Sequence, residues 1–72
     1  MAFDFKVEKT YGILSTTKAG WNKEFNLVSW AGREAKFDIR EWSPDHSSMG
    51  KGITLTGEEA KKLYDIISSL KP

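Results

Sequence analysis

The stretch KFDIREWSPDHSSMGKGITL, Lys36 to Leu55, decides the fold. Phe37 and Ile39 alternate with Lys36, Asp38, Arg40 and Trp42, which is the period-two pattern of a half-buried strand. Pro44 has no amide hydrogen to give a ladder and ends that strand. PDHSSMGKG then reads as a loop, and ITL as a short returning strand. Directly after it, TGEEAKKLYDIISSLKP reads as a helix. Thr56 with Glu59 three residues on forms a capping box. Ala60, Leu63, Tyr64, Ile67 and Leu70 recur at helical spacing, and Ile66 widens that stripe. Glu58 and Glu59 suit the positive end of the helix dipole, Lys71 suits the negative end, and Pro72 cannot extend the helix.

Upstream, Phe3, Phe5, Val7, Tyr11 and Ile13 alternate with polar residues, predicting a long first strand. Lys9 interrupts its apolar face, and Thr10 or Gly12 offers a place for a bulge. STTKAG reads as a turn. WNKEFNLVSW, Trp21 to Trp30, is a second strand, joined by AGRE to the third, AKFDIREWS. The result is an α+β fold, four antiparallel strands followed by one C-terminal helix, spanning residues 1–72 as a single domain. Phe25, Leu27, Phe37 and Ile39 form the expected core face, with Trp21 beside them. Asn22, Asn26, Trp30, Lys36, Arg40 and Trp42 are left to the outer face.

A chain of 72 residues buries only about 60% of its unfolded surface and holds its fold by a small margin. It has no cysteine and one histidine, His46, so disulfides, thiolate metal sites and cysteine nucleophiles are excluded, and no metal or other cofactor is expected. A second copy of the chain is the expected supplement to stability. No apolar run approaches the ~20 residues that span a bilayer, and MAFDFKVEK lacks the apolar segment of a signal peptide. The sequence therefore predicts a soluble cytoplasmic protein with no membrane partner.

Enzymatic readings fare poorly. Asp45, His46, Ser47 and Ser48 hold the residue types of a hydrolase triad, but neighbours in one loop rarely converge, and no Gly-x-Ser-x-Gly elbow exists. Turn chemistry is the better account of them. Asp38 and Glu41 point to opposite strand faces and cannot form a carboxylate pair. GKGIT lacks P-loop spacing. No small-molecule substrate is indicated. The outer face is more informative. Cations interleaved with flat aromatics suit a single strand of nucleic acid, because Lys and Arg track phosphates while aromatic faces stack with unpaired bases. The competing explanation is that these tryptophans are core. Asp38, between Lys36 and Arg40, would then orient Arg40 through a salt bridge.

KEFNLVSW, KFDIREWS and GKGITLT, followed by a short capped helix, resemble the positive-cofactor-four family of transcriptional coactivators, and more closely its YdbC-type bacterial branch. The resemblance covers almost the whole chain. It implies a curved four-stranded sheet and helix in a homodimer, with Leu63, Tyr64, Ile66, Ile67 and Leu70 at the interface. It also implies binding of single-stranded DNA with little sequence preference, on basic and aromatic strand ridges. The residues expected to contact it are Lys23, Trp30, Arg33, Lys36, Arg40, Trp42 and Lys51. Arg40 matches the family's DNA-contacting arginine, Trp30 its stacking aromatic and Lys51 its basic loop. Lys23 matches a second-strand cation, although alternation puts it on the Phe25 face. The family's aromatic pair after DIRE is here Trp42 and Ser43, and its Ser-rich regulatory tail is absent from this sequence. Two alternatives stay open: single-stranded RNA as ligand, since stacking and phosphate contacts do not read the 2′-OH, or a protein-interaction module that works through the apolar helix.

Overall fold

The computed structural model describes residues 4–70, so the expectations for Phe3, Lys71 and Pro72 lie outside the described residues. Four strands, β1 (Phe5–Thr16), β2 (Asn22–Trp30), β3 (Lys36–Trp42) and β4 (Met49–Leu55), precede one helix, α1 (Gly57–Leu70). The strands pair antiparallel in sequence order. Each connection is local and set by its turn residues. Gly20 takes φ 89° in the β1–β2 turn. Ala31 and Gly32 take φ 52° and 73° in the β2–β3 turn, where the Arg33 amide donates to the Trp30 carbonyl. The capping box forms as read. The Glu59 amide donates to Thr56 Oγ1 at 3.1 Å, and the Thr56 amide donates to Glu59 Oε1 at 2.9 Å.

Apart from one residue at each end of β3, three strand boundaries differ from the sequence reading. Trp21 precedes β2 and is only half-buried, because the Thr17 amide bonds to its carbonyl and keeps it in the turn. Ser15 and Thr16 extend β1 instead of opening the turn, paired with Lys23 and Asn22. The larger correction is Gly50-Lys51-Gly52, which lies inside β4 rather than in a loop. Gly52 pairs with Arg40 and Met49 with Trp42, so Gly50 and Lys51 both oppose Glu41 in a bulge. Gly52 has no room for a side chain. A Cβ there would collide with Arg40 Cβ and the Ile39 carbonyl oxygen, and would lie 2.8 Å from Arg40 Cα.

The sheet is strongly curled. β1 slips register against β2 between Val7 and Lys9, between Thr10 and Gly12, and between Ile13 and Ser15. Such irregularities increase local twist and bend, and the one at Thr10–Gly12 falls where the sequence offered it. The size of the curl can be read from contacts across its ends. Arg40 pairs with Glu24, six residues from Trp30 along β2, which is roughly 20 Å in a flat sheet. Yet the Arg40 guanidinium carbon lies 4.9 Å from the Trp30 ring centroid. Phe5, paired with Trp30, also touches Trp42 at the far end of β3, with ring centroids 5.4 Å apart.

Curling reverses the expected burial. Glu24, Asn26, Val28, Asp38 and Trp42 line the inside of the curl and are buried, with Val28, Asn26 and Asp38 fully so. Phe25, Leu27, Phe37 and Ile39, the expected core, line the outside and are half-buried. There Phe25 stacks on Phe37 at 5.6 Å, and Tyr11 packs on both. The helix spans this outer face but covers it incompletely. Ala60 and Leu63 are half-buried against it, while Tyr64, Ile66, Ile67 and Leu70 remain exposed. An open apolar groove of about 270 Å³ runs between Phe25, Ile39 and Leu55 on the sheet and Leu63 and Ile67 on the helix. Among the described residues no helix is long and apolar enough to cross a membrane.

Candidate nucleic-acid interface

Arg40 is the centre of the site. It reaches along the inside of the curl and is held on three sides. Its Nε donates to Asp38 Oδ1 at 2.8 Å, and its Nη2 donates to Asp38 Oδ2 at 3.1 Å. Its Nη1 donates to the Gly50 carbonyl at 3.4 Å and lies 3.8 Å from Met49 Sδ. The guanidinium carbon sits over the Trp30 ring, 4.9 Å from its centroid. Asp38 accepts a further bond from Thr54 Oγ1 at 3.0 Å and is itself fully buried. The salt bridge read from the Lys36-Asp38-Arg40 spacing is therefore present, and it is bidentate.

Arg40 thereby joins two distant pieces of chain: Trp30 at the tip of β2, and the Gly50-Lys51 bulge of β4. Lys51 is exposed, as are Lys36 on β3 and Arg33 in the β2–β3 turn. Trp30 is half-buried, with Phe5 packed against it at 5.7 Å. The lip of the curl thus presents an aromatic edge, a partly shielded guanidinium and exposed cations on both sides.

Two of the expected residues do not join this group as read. Trp42 is 1% exposed, so its ring has no face to offer a base. It packs against Phe5 and the His46 ring, because the curl turns that end of β3 inward. Of the two choices left open for it, core is the correct one. Lys23 is exposed but pairs with Glu41 on the outer face, where alternation put it, away from the Trp30–Arg40 contact.

A second polar cluster lies beside the first inside the curl, where Glu24 pairs with Arg40 and Asn26 with Asp38 across the strands. Asn26 Nδ2 donates to Glu24 Oε1 at 3.1 Å, and His46 Nε2 lies 2.8 Å from Glu24 Oε2. Nothing in the sequence spacing joins His46 to Glu24, since the contact depends on the loop folding back over Trp42. The same loop shows why no triad forms. Asp45 Oδ1 accepts from the Ser47 hydroxyl at 2.7 Å, the Ser47 amide at 3.0 Å and the Ser43 hydroxyl at 2.9 Å. The Ser47 hydroxyl and amide, then the Ser43 hydroxyl, hold the Asp45 carboxyl down to about 2. His46 points away to Glu24, with its backbone at φ 61°. Among the described residues no group of three or more His, Cys, Asp or Glu could hold a metal ion.

The match to known proteins runs through these elements. Residues 17–66, from the β1–β2 turn through Arg40 and the bulge into α1, match the family described as Transcriptional Coactivator p15 (PC4). The chain belongs to the PC4 family. A protein of Treponema pallidum (strain Nichols), described as uncharacterized, is 48% identical over 68 residues, which cover 94% of this chain and 80% of that protein. PC4 membership carries nucleic-acid binding and coactivator-like roles, in a family that works by binding rather than catalysis.

Proposed function

We propose that the protein binds single-stranded DNA as a homodimer, with little sequence preference, and serves transcription regulation or DNA repair and recombination. The observation that carries this reading is the convergence of Trp30, Arg40 and the Gly50-Lys51 bulge at one lip of the curl, in a chain of the PC4 family. Trp30 supplies an aromatic surface for an unpaired base. Lys36, Arg33 and Lys51 supply exposed charge for the phosphates on either side. Lys23 is proposed as an outlying contact reached by longer strands. Nothing in this arrangement reads base edges, which accounts for the low sequence preference.

The dimer reading is supported by the outer face. Tyr64 is 70% exposed, Leu70 66%, Ile66 57% and Ile67 49%, beside an apolar groove on the sheet. A single chain does not bury this surface, and a second copy laid helix against helix would. Leu63, Tyr64, Ile66, Ile67 and Leu70 are its proposed contacts. The bacterial relative and the nucleic-acid ligand support work in the cytoplasm. The test is competition. Labelled single-stranded DNA bound to the protein is challenged with unlabelled single-stranded DNA, single-stranded RNA and duplex DNA. Single-stranded DNA should displace the label best, and duplex poorly, because its bases are already stacked. Displacement by duplex as good as by single strand would refute the reading. Equal displacement by RNA would widen the ligand class, and failure to bind any strand would leave the helix face as the working surface.

A further inference from the structure

We infer that the His46 imidazole is a base-stacking surface, a second ring of the single-strand site beside Trp30. The inference rests on the proposed binding of single-stranded DNA.

A continuous row of rings runs along the inside of the curl. Trp30 meets Phe5 at 5.7 Å between centroids, Phe5 meets Trp42 at 5.4 Å, and Trp42 meets His46 at 5.4 Å. Exposure changes along the row. Phe5 is 37% exposed, Trp42 is buried, and the His46 side chain is 51% exposed. The row therefore opens again at its end. Trp42 is lost to the core, and the β3–β4 loop lays a smaller flat ring over it that solvent can reach.

That ring is held before any ligand arrives. Glu24 Oε2 lies 2.8 Å from its Nε2, and Trp42 packs against it at a tilt of 46°. The turn that carries it is braced as well. The His46 amide donates to the Ser43 carbonyl at 2.9 Å, and the Asp45 carboxylate accepts from the Ser43 and Ser47 hydroxyls. The His46 backbone takes φ 61°, a region that residues other than glycine seldom adopt. A side chain fixed in this way loses little freedom when a base stacks on it. Histidine is among the side chains on which unpaired bases stack.

The competing role is that of a polar cap. Glu24 is 3% exposed, and His46 gives its carboxylate a partner. A cap needs only a donor, whereas a stacking surface needs a ring. Labelled oligo(dT), and an abasic strand of the same length, are titrated with wild type, His46→Gln and His46→Phe. All titrations run well below each variant's melting temperature. Glutamine keeps a donor for Glu24 and removes the ring, while phenylalanine keeps a ring and removes the donor.

His46→Gln should bind oligo(dT) roughly tenfold more weakly, a loss of the size of one base stack, and bind the abasic strand as wild type does. His46→Phe should recover most of the affinity for oligo(dT). Undiminished affinity in His46→Gln would overturn the inference. So would equal losses in the two variants, or a loss in His46→Gln that is as large on the abasic strand. If either variant fails to fold, wild type decides by NMR. His46 is the only histidine of the chain, so its ring proton signals are unambiguous. Oligo(dA) should move them upfield, because protons over the face of a base are shielded, and the abasic strand should leave them in place. Ring signals unmoved by bound oligo(dA), or moved as far by the abasic strand, would overturn the inference. Wild type that binds no single strand would defeat the proposed function instead.

Discussion

The two faces of the sheet are built from the same strands and are closed in different ways. The inner face closes on itself. Its walls are Val28, Trp42 and Phe5, and its floor holds the buried carboxylates Glu24 and Asp38, tied to His46 and Arg40. The outer face is the more apolar in sequence, with Phe25, Leu27, Phe37 and Ile39, yet it remains half-buried beneath an exposed helix. Composition therefore does not say which face is core within one chain. Curvature decides that, because a curled sheet covers its concave side with its own ends. The convex side must wait for another element, and here one helix of 14 residues is not enough.

That comparison can be broken first at Trp42. Trp42→Ala removes a fully buried ring from the inner face and should cost about 3–5 kcal/mol in urea unfolding. A loss under about 1 kcal/mol would mean that the inner face is not the structural core. On the outer face, Ile67→Glu should leave the inside of the curl intact but weaken self-association at least a hundredfold, about 2.7 kcal/mol. Sedimentation and the concentration dependence of the melting temperature both read this. A wild type that sediments as a monomer at micromolar concentration would contradict the outer-face account. Gly52→Ala should cost about 1–3 kcal/mol through overpacking against Arg40 and Ile39, whereas Gly12→Ala, with open space at its Cβ, should cost much less.

The smallest expected effect lies outside both faces. The folded protein holds the Asp45 carboxyl at about 2, below the ordinary 3.8. Its contribution is therefore present above about pH 4 and is lost as pH falls toward 2. Asp45→Asn should lower stability slightly above about pH 4, leave it unchanged near pH 2, and so flatten the acid limb of the profile in that window. An acid limb identical to wild type would show that the Ser43 and Ser47 bonds do not persist in solution.

Period-two alternation and the capping box made the element order, the β2–β3 hairpin and the helix start readable from sequence. The bulge near Gly12 was readable from the break at Lys9. Alternation assigns side chains to one of two faces but carries no information on curvature, so it left Trp42 open between core and ligand and put Phe25 in the core. GKG was misread for a related reason. Glycines signal a loop in sequence, but Gly52 is there because β4 crosses Arg40 too closely for a Cβ. Of the candidate site, the Asp38–Arg40 pairing was legible from the spacing on β3. The convergence of Trp30 with Gly50-Lys51 and the His46–Glu24 contact were not, since each joins segments that only the curl brings together.

The most direct test follows backbone amide shifts in a nitrogen-15 NMR titration with oligo(dT). Shifts should concentrate at Trp30, Arg33, Lys36 and Gly50 to Gly52, while the amides of Tyr64, Ile66, Ile67 and Leu70 stay still. Shifts that concentrate on the helix, with the Trp30 lip unmoved, would contradict the assignment of the inner lip to nucleic acid and the outer face to the second copy.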